Sequence, residues 1–588
     1  MSAVMDVHSS DRWDREVDLL VFGSGAAGLC AALVGANEGL DVLLCEKSTQ
    51  LGGTTATSGG TVWIPGTRQS QSTPTPDQIE RARLYLDTEI GRDGSPGMRE
   101  QFLQTGPEAI DYLHKHTEVL FKVNSPYPDY HAENPGGALG GRALSPLAFD
   151  ARLLGKDFKL VRPPMPEFMV LGGMMVARDE IKYLIRPWHS WQALTKTAQI
   201  VGRYVLDRLQ LRPRGTRLLL GNALVGRFLH SLRTKGGEIA LSAGLKELLQ
   251  DERGQVFGAE VDIKGQTVRI RARRGVVLAT GGPAASAQWR QRLMPERELS
   301  YSLAFAANTG DGLEAAQRVG AEVDLTHASP FFWMPASIMR RNDGSTAVFP
   351  HLRDRPKPGL IAVRQDGHRF VNEANSYHDF VSALFKAEPS QPKPCAYLVC
   401  DQRFIREYGL GLIHPVWHKL TSFIQKGYLF QGDTLAQLAQ TINVDAEALM
   451  ESVRVHNQGA LKGQDRAFGK GSQALNQFNG DPLVHPNPCL RPIEHAPYFA
   501  VKVHPVPIGS SVGLRTNIHG QVLNHSGSAI SGLYACGNDM SSIMRGHYPG
   551  PGITLGPGIV FGYLVARHAA SQNGADCEVP HENAPEKY

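Results

Sequence analysis

The sequence predicts an α/β protein whose ligand-binding sheet is assembled from distant parts of the chain. A strand, a glycine-rich turn and a helix follow one another over residues 17–38. Apolar strand-like runs that end in glycine turns return at residues 273–282 and 532–539. In open α/β sheets such turns lie at the carboxyl ends of parallel strands, where ligands bind. Three turns so far apart in sequence predict one long ligand that crosses a single sheet.

The first of these elements has the pattern of a dinucleotide-binding unit. The strand VDLLVF (17–22) leads into GSGAAG, then a helix and a second strand that ends at Glu46. Gly23 permits the tight turn, Gly25 lets the backbone approach a pyrophosphate, and Gly28 lets the helix pack on the strand. The helix N-terminus attracts the phosphates, and Glu46 can accept from ribose hydroxyls. A glycine turn without a ligand is the weaker alternative.

The later segments favour FAD over NAD. Small and hydroxyl residues in LGGTTATSGGTVWIP (51–65) let the backbone run along an extended cofactor, and a second GxGxxG unit is absent. Covalent attachment is not expected, since no attachment histidine is identifiable. Electrons are expected to leave to an external acceptor such as a quinone. The predicted FAD contacts are Gly23, Ser24, Gly25, Ala26, Ala27, Gly28, Glu46, Lys47, Gly53, Thr54, Thr55, Ser58, Gly59, Gly60, Ala279, Thr280, Gly281, Gly282, Asp311, Gly537, Asn538, Thr554 and Leu555.

Composition excludes several classes of protein. The 588 residues are 42% hydrophobic and 20% charged with a net charge of +4, which argues against disorder and against a nucleic-acid partner. The seven cysteines are odd in number and form no CxxC, so neither a disulfide scaffold nor a metal site is expected. The polar N-terminus and the absence of a long apolar run predict a cytoplasmic protein without a spanning helix.

The pattern of segments predicts five stretches. They form a discontinuous Rossmann-like FAD-binding domain, an α+β substrate or catalytic domain and a largely helical insertion. The stretches are 1–150 (FAD-binding, first part), 151–235 (basic helical insertion), 236–325 (FAD-binding, second part), 326–504 (substrate domain) and 505–588 (FAD-binding, third part).

The insertion is rich in basic residues interleaved with tryptophan. Its basic stretch, residues 178–217, also contains Trp188 and Trp191, and the apolar segment PEFMVLGGMMVA (166–177) lies just before that stretch. Such patterns are typical of an amphipathic element on an anionic lipid surface. We therefore consider peripheral contact of residues 165–217 with the inner face of the cell membrane. An ordinary insertion packed on its own protein is an equal alternative. The basic residues are Arg178, Lys182, Arg186, Lys196, Arg203, Arg208, Arg212, Arg214 and Arg217, against Asp179, Glu180 and Asp207.

A Tyr-Pro-Gly-Pro-Gly turn carries the strongest signal of chemistry. It lies in RGHYPGPGITLG (545–556), before a predicted helix. The hydroxyl of Tyr548 and the backbone N–H of Gly552 can converge on one oxygen, as in an oxyanion hole. A buried tyrosine is more often a plain core residue, so this signal alone does not establish a site.

The same turn resembles that of 3-ketosteroid Δ1-dehydrogenases, FAD-dependent members of the fumarate reductase/3-ketosteroid dehydrogenase superfamily. The resemblance extends over essentially the whole chain, to a longer subtype with a basic insertion. It implies that Tyr548 and Gly552 hold the substrate's 3-keto oxygen. The R-F-x-N-E-x-x-x-Y motif (369–377) implies that Tyr377 is the proton-abstracting base. The D-Y-H-x-E-x-P-G-G motif (129–137) implies that Tyr130 assists it.

The reaction that this resemblance implies is 1,2-desaturation of a 3-ketosteroid. A polarised carbonyl acidifies the α hydrogen at C2, and the C1 hydride passes to FAD N5. A tyrosine base, with an ordinary pKa near 10, needs help from Tyr130 or from positive potential. A relay through His131, His378 or His547 is a weaker alternative.

Other functions remain open. They are 4,5-desaturation, disfavoured because Gly550 replaces the serine of the 4-ene-forming relatives; dehydrogenation of small cyclic ketones; and a membrane-docked flavoprotein carrier without activity. Fumarate reduction is disfavoured, because the segment after ACGN lacks the Asn-Arg of that group.

Overall fold

The computed structural model describes residues 13–71, 73, 76–91, 96–124, 126–177, 180–185, 187–415 and 419–572. Numbered along the chain, the strands are β1 (Arg15–Phe22), β2 (Val42–Glu46), β3 (Val62–Trp63), β4 (Phe121–Val123), β5 (Ala143–Pro146), β6 (Phe149–Asp150), β7 (Arg217–Leu218), β8 (Glu238–Leu241), β9 (Ala243–Gln250), β10 (Val256–Ile263), β11 (Gln266–Leu278), β12 (Val323–Asp324), β13 (Phe331–Arg340), β14 (Thr346–Pro350), β15 (Leu360–Val363), β16 (Ala396–Asp401), β17 (Leu429–Gly432), β18 (Tyr498–Ser510), β19 (Gly513–Leu514), β20 (Gln521–Leu523) and β21 (Ala529–Ala535).

The helices surround these strands. They are α1 (Ala26–Asn37), α2 (Arg68–Gln71), α3 (Ile79–Ile90), α4 (Pro96–His116), α5 (Ile181–Ile185), α6 (Trp191–Leu209), α7 (Leu220–Thr234), α8 (Ala287–Leu293), α9 (Asp311–Arg318), α10 (Tyr377–Ala387), α11 (Gln402–Tyr408), α12 (Leu420–Gln425), α13 (Leu435–Ile442), α14 (Ala446–Leu461), α15 (Ala474–Asn479) and α16 (Leu555–Ser571). Five 3₁₀ segments join them: Thr55–Thr57, Ala151–Leu160, Pro166–Phe168, Pro187–His189 and Gly537–Asp539.

An eight-stranded sheet draws on three separate stretches of the chain. Its order is β20-β21-β11-β1-β2-β8, with β10 paired to β11 and β9 to β10. The central pairs are parallel, from β21 through β11, β1 and β2 to β8. The last four residues of β1 and of β11 are fully buried, as expected for parallel strands covered on both faces. This arrangement confirms the predicted α/β class.

A second, antiparallel sheet forms the core of the other large unit. Its order is β14-β13-β18-β16-β15, with β17 on β18. Because β18 runs unbroken from Tyr498 to Ser510, it crosses residue 505, where the sequence pattern placed a division. Two helices, α13 and α14, follow β17 in this unit. Asn443 separates them with a φ of 54°, and the side chain of Asp445 caps α14 by accepting from Ala448 N–H.

The insertion is mostly helical, and α6 is its longest element. The helix begins after Ser190, whose side chain accepts from Ala193 N–H. No helix in the described part of the chain has both the length and the apolar character needed to cross a bilayer.

Candidate active site

The turn after β1 has room for a phosphate on one face and none on the other. A Cβ on Gly23 would lie 2.2 Å from the Ala279 carbonyl oxygen, and one on Gly28 would lie 1.9 Å from the Gly23 carbonyl oxygen. Only glycine allows this approach of strand and helix. A Cβ on Gly25 would instead meet nothing nearer than 3.7 Å, and one on Gly53 nothing within 4 Å. These open backbone faces at the start of α1 fit the pyrophosphate of FAD.

Glu46 is held at the end of β2 by three donors. Its Oε2 accepts from the Ser24 N–H at 3.1 Å and the Ser24 hydroxyl at 2.5 Å, and its Oε1 accepts from the Ser48 N–H at 2.8 Å. The side chain is therefore oriented beside the glycine turn, as a ribose acceptor must be. Next to it, Lys47 Nζ lies 2.6 Å from Asp311 Oδ2, so these two predicted contacts lie together at the sheet edge.

The other predicted cofactor segments meet at the carboxyl edge of the same sheet. Thr54 Oγ1 accepts from the Phe305 N–H, and Thr55 Oγ1 accepts from the Ala26 N–H. Gly221 N–H donates to the Ser58 carbonyl, so the Ser58–Gly60 turn contacts the start of α7. Thr554 and Leu555 stand at the start of α16.

Asp539 is a site residue that sequence reasoning missed. Its carboxylate accepts from the N–H of Thr280 at 2.5 Å, the hydroxyl of Thr280 at 2.9 Å and the N–H of Gly282 at 2.8 Å. It thereby ties the 279–282 turn to the 537–538 turn. Burial raises the pKa of Asp539 to about 6, against these hydrogen bonds. Its position directly after the strand and glycine turn of 532–538 was the only local signal in the sequence.

Three tyrosines from distant segments converge in a second cluster. The rings of Tyr130 and Tyr548 are nearly parallel, with centroids 5.7 Å apart. The ring of Tyr377 stands edge-on to both, at 5.7 Å from Tyr130 and 5.1 Å from Tyr548. All three are buried, and Phe332 contacts Tyr548 edge-on at 5.3 Å. The structure therefore brings together the three tyrosines selected from the sequence.

Separate networks position the three rings. The Tyr130 N–H donates to the Pro549 carbonyl at 2.9 Å, which joins the Tyr130 loop to the Tyr548 loop. Tyr377 is the first residue of α10, whose N-cap is Ser376. In the motif before it, Arg369 forms ion pairs with Glu373 and Asp465, both at most 2.9 Å.

The Gly552 backbone has a conformation that only glycine adopts easily. Its φ is +95°, and a Cβ there would lie 2.4 Å from the Thr61 carbonyl oxygen. Its own carbonyl accepts from Trp63 N–H at 3.1 Å. Among the described residues no protein acceptor takes its N–H, so this donor is available to a ligand. At Gly550 a Cβ would lie 2.7 Å from the Trp63 ring, so a serine would not fit without displacing that ring.

Burial disfavours ionisation of all three phenols. It raises the pKa of Tyr548 to about 12, and it raises the pKa values of Tyr130 and Tyr377 well above their ordinary value, with further repulsion among the phenols. A base in this cluster therefore needs positive charge nearby.

The neighbouring histidines differ in charge. Burial lowers the pKa of His131, but its hydrogen bonds to Asp379 (2.9 Å) and Glu89 (2.6 Å) outweigh this and raise it to about 10. With both ring nitrogens donating to carboxylates, His131 is a fixed cation and a poor relay. Burial lowers the pKa of His378 to about 4 and also lowers that of His547, so both are neutral near pH 7.

Comparison with known proteins agrees with this geometry. Residues 18–555 match the family model described as FAD binding domain. The chain is 36% identical over 556 residues to the 4-oxocyclohex-2-ene-1-carboxylate 5-dehydrogenase of Sinomonas cyclohexanicum, covering 94% of this chain and 93% of that one. It is 34% identical over 574 residues to a 3-oxosteroid 1-dehydrogenase of Mycobacterium tuberculosis, covering 95% and 99%.

A solved structure is similar over the same length. It is that of the 3-ketosteroid Δ1-dehydrogenase from Sterolibacterium denitrificans in complex with 1,4-androstadiene-3,17-dione, with a TM-score of 0.86 and 32% identity. The alignment covers 95% of this chain and 99% of the other.

Proposed function

Since the chain belongs to the FAD-binding domain family and is a flavoprotein oxidoreductase of the 3-oxosteroid 1-dehydrogenase type, we propose that it desaturates the 1,2 bond of 3-ketosteroids. The observation that carries this proposal is the convergence of the rings of Tyr130, Tyr377 and Tyr548.

Tyr548 and Gly552 bind the ketone. The phenol O–H and the backbone N–H both donate to the 3-keto oxygen, which draws charge onto that oxygen and acidifies the hydrogen at C2. Preorganised donors of this kind act strongly in a site without water, because no solvent must reorganise. The fixed φ of Gly552 keeps its N–H in place, which supports this role.

Tyr377 removes the C2 proton, and Tyr130 supports it. Their rings meet edge-on at 5.7 Å, and a hydrogen bond from Tyr130 favours the ionised form of Tyr377. When bound, FAD supplies the acceptor for the hydride that leaves C1. Loss of H⁺ from C2 and H⁻ from C1 leaves the 1,2 double bond, so atoms and charge balance.

A substrate panel tests the reaction. Anaerobic addition of a 4-ene-3-ketosteroid is expected to bleach the flavin and give the 1,4-diene, while turnover with a dye acceptor continues the cycle. Saturated 3-ketosteroids distinguish 1,2- from 4,5-desaturation. We expect the 1-ene product, since Trp63 leaves no space for a serine at position 550. A flavin that stays oxidised with every 3-ketosteroid contradicts the proposal.

A small cyclic ketone is the second candidate substrate. The relative from Sinomonas that is named for 4-oxocyclohex-2-ene-1-carboxylate is 36% identical to this chain. The described side chains that contact the Tyr548 ring argue against a carboxylate, since Phe332 is apolar and His378 is neutral. Cyclohexanone carboxylates in the same panel decide between the two.

We further propose that the insertion contacts a lipid surface, mainly through apolar side chains. Trp188, Trp191, Leu206, Leu209 and Leu211 are 60–92% exposed. Trp188 and Trp191 lie just before α6 and at its start, and the three leucines lie in its last turn and just after it. Exposed apolar side chains of this kind suit the interface of a bilayer.

The charge of the insertion supports lipid contact less than its composition suggested. Arg203 and Arg217 are ion-paired with Asp150 and Glu180, and Arg214 is buried. Arg178, Arg186 and Asp179 lie outside the described residues, as does the side chain of Lys182. We therefore propose that apolar contacts contribute more than charge to binding of the lipid surface.

A further inference from the structure

The proposed tyrosine base lacks an obvious source of positive potential. Burial raises the pKa of each phenol in the cluster, so proton abstraction at neutral pH requires a compensating cation. The buried cations on the segments that carry the tyrosines include Arg142, His131 and Arg369. Each of these three is bound to two carboxylates, so its charge is already offset.

Arg355 has different surroundings. Its side chain is fully buried, with 1% of the residue exposed. Nε donates to the His351 carbonyl at 2.7 Å, and Nη1 donates to the carbonyls of Glu373 at 2.7 Å and Asn375 at 3.2 Å. The guanidinium lies over the Phe380 ring at 5.0 Å. Within the described residues no carboxylate forms an ion pair with it.

These contacts place the cation on the proposed base's own support. Glu373 and Asn375 belong to the loop that leads into α10, and Phe380 lies one turn after Tyr377. Arg355 is also close enough to Tyr130 for the two to interact electrostatically. We propose that the buried guanidinium of Arg355 is a positioning residue that holds the loop before Tyr377 and supplies the positive charge that stabilises a phenolate of the Tyr130–Tyr377 pair.

Three carboxylates and one phenol interact electrostatically with Arg355, and two of these carboxylates have another cationic partner. The carboxylates are Asp354, Glu373 and Asp379, and the phenol is that of Tyr130. Glu373 and Asp379 accept from the cationic side chains of Arg369 and His131, and Asp354 hydrogen-bonds the ring of His351. Although burial lowers the pKa of Arg355 to about 10, the group remains charged at neutral pH.

Two kinds of variant separate charge from shape. Arg355→Met removes the charge and the hydrogen bonds, Arg355→Gln is neutral but can still donate to one carbonyl, and Arg355→Lys keeps the charge. Arg227→Met is a matched control. Arg227 is also buried, donates to three main-chain carbonyls and lies 5.6 Å from the Phe149 ring, but on α7.

The readout is the rate of anaerobic flavin reduction by a 3-ketosteroid from pH 6 to 10, together with FAD content and affinity for the diene product. The neutral variants are expected to lose roughly tenfold or more in rate at pH 7. The rising limb of their pH–rate profile, which reports ionisation of the base, should move up by roughly one pH unit or more, because a nearby opposite charge lowers a pKa by 1–3 units. Product affinity and FAD content should stay near wild type. Arg355→Lys and Arg227→Met should keep the wild-type limb.

The opposite results overturn the inference. If neutral and lysine variants are slowed equally with an unshifted limb, Arg355 only shapes the loop. If neither neutral variant folds, Arg355→Lys decides alone, since a shifted limb in that charged variant contradicts the proposal. The inference rests on the proposed desaturation, but the failures are distinct. A wild-type flavin that ignores every ketosteroid refutes the function, whereas an unshifted neutral variant of an active enzyme refutes only the role of Arg355.

Discussion

The rings of Tyr130 and Tyr548 lie nearly parallel, 12° apart in plane and 5.7 Å between centroids. The Tyr130 N–H donates to the carbonyl of Pro549, the residue after Tyr548. One hydrogen bond thus couples the loop that carries Tyr548 to the loop that carries Tyr130. Tyr377 approaches from a third segment, the start of α10, and its ring stands edge-on to both.

Tyr377→Phe is expected to slow flavin reduction by roughly 10²- to 10⁴-fold, the usual contribution of a positioned general base. The ring and its packing remain, so FAD content and thermal stability should change little. Stopped-flow bleaching with a 4-ene-3-ketosteroid measures the effect. Tyr397→Phe is the control, since Tyr397 is a buried tyrosine of β16 outside the cluster. Equal rates in the two variants would show that Tyr377 is not the base.

Gly552→Ala is expected to slow the rate of flavin reduction by roughly 10²- to 10³-fold. The new Cβ would lie 2.4 Å from the Thr61 carbonyl oxygen, so the backbone must shift and displace the N–H donor. Backbone strain adds a loss of stability of about 1–3 kcal/mol. Gly39→Ala is the matched control, with a φ of +86° and nothing within 4 Å of the new Cβ. It carries the backbone strain without the clash and should stay active. An active Gly552→Ala enzyme would argue against the ketone clamp.

The cofactor turn could be predicted from local sequence patterns, whereas contacts between distant residues could not. Gly23, Gly28 and Glu46 belong to one contiguous strand-turn-helix-strand unit whose spacing has a mechanical reason. The roles of Tyr130 and Tyr377 came from motifs that resemble a known family. Hydrophobic periodicity predicts local secondary structure and could not show that these distant segments lie close together.

Residues whose role depends on distant contacts escaped prediction. Asp539 lies 259 positions from Thr280, the residue it holds, and its carboxylate looks ordinary in sequence. The surroundings of Arg355, made of main-chain carbonyls, leave no sequence signature either. In the insertion, charge pairing was likewise not visible in the sequence. Charge composition suggested a basic surface, but folding pairs Arg203 and Arg217 with acids.

Glu46→Ala is expected to weaken FAD binding roughly 10- to 100-fold. The substitution removes a charge-assisted acceptor worth about 1.5–3 kcal/mol and leaves the Ser24 and Ser48 donors without it. Glu46→Gln keeps one oxygen and should have a smaller effect. Fluorescence quenching during reconstitution of the apoprotein with FAD gives the dissociation constants. Glu238→Ala, on the adjacent strand β8 with an exposed side chain, should match wild type. Unchanged affinity in Glu46→Ala would remove this residue from the FAD site.

Because of the His131 ion pairs, the stability of the folded protein is expected to fall as the pH rises into the alkaline range. The folded pKa of about 10 lies above the ordinary 6.5, so the folded state holds the proton more tightly. The stabilisation is therefore complete below pH 6.5 and is lost as the pH rises through 10. Wild type should exceed His131→Gln in melting temperature at pH 6.5, and the difference should shrink steadily toward pH 10. The exposed His495→Gln should show no such trend. A difference that is constant over this range would contradict a charged His131.

The exposed leucines of the insertion are expected to determine binding to lipid vesicles. Burying a leucine side chain contributes about 1.5–3 kcal/mol, so Leu206→Gln combined with Leu209→Gln should weaken co-sedimentation with phosphatidylcholine vesicles at least roughly tenfold. Because Arg203 and Arg217 are ion-paired, anionic lipid should strengthen wild-type binding only modestly. Activity on soluble ketosteroids should be unchanged. The matched control is Leu461→Gln with Leu483→Gln, since these leucines of the other unit are 75% and 86% exposed. If both double variants sediment like wild type, or if wild type stays in the supernatant, α6 does not contact lipid and its apolar surface has another role.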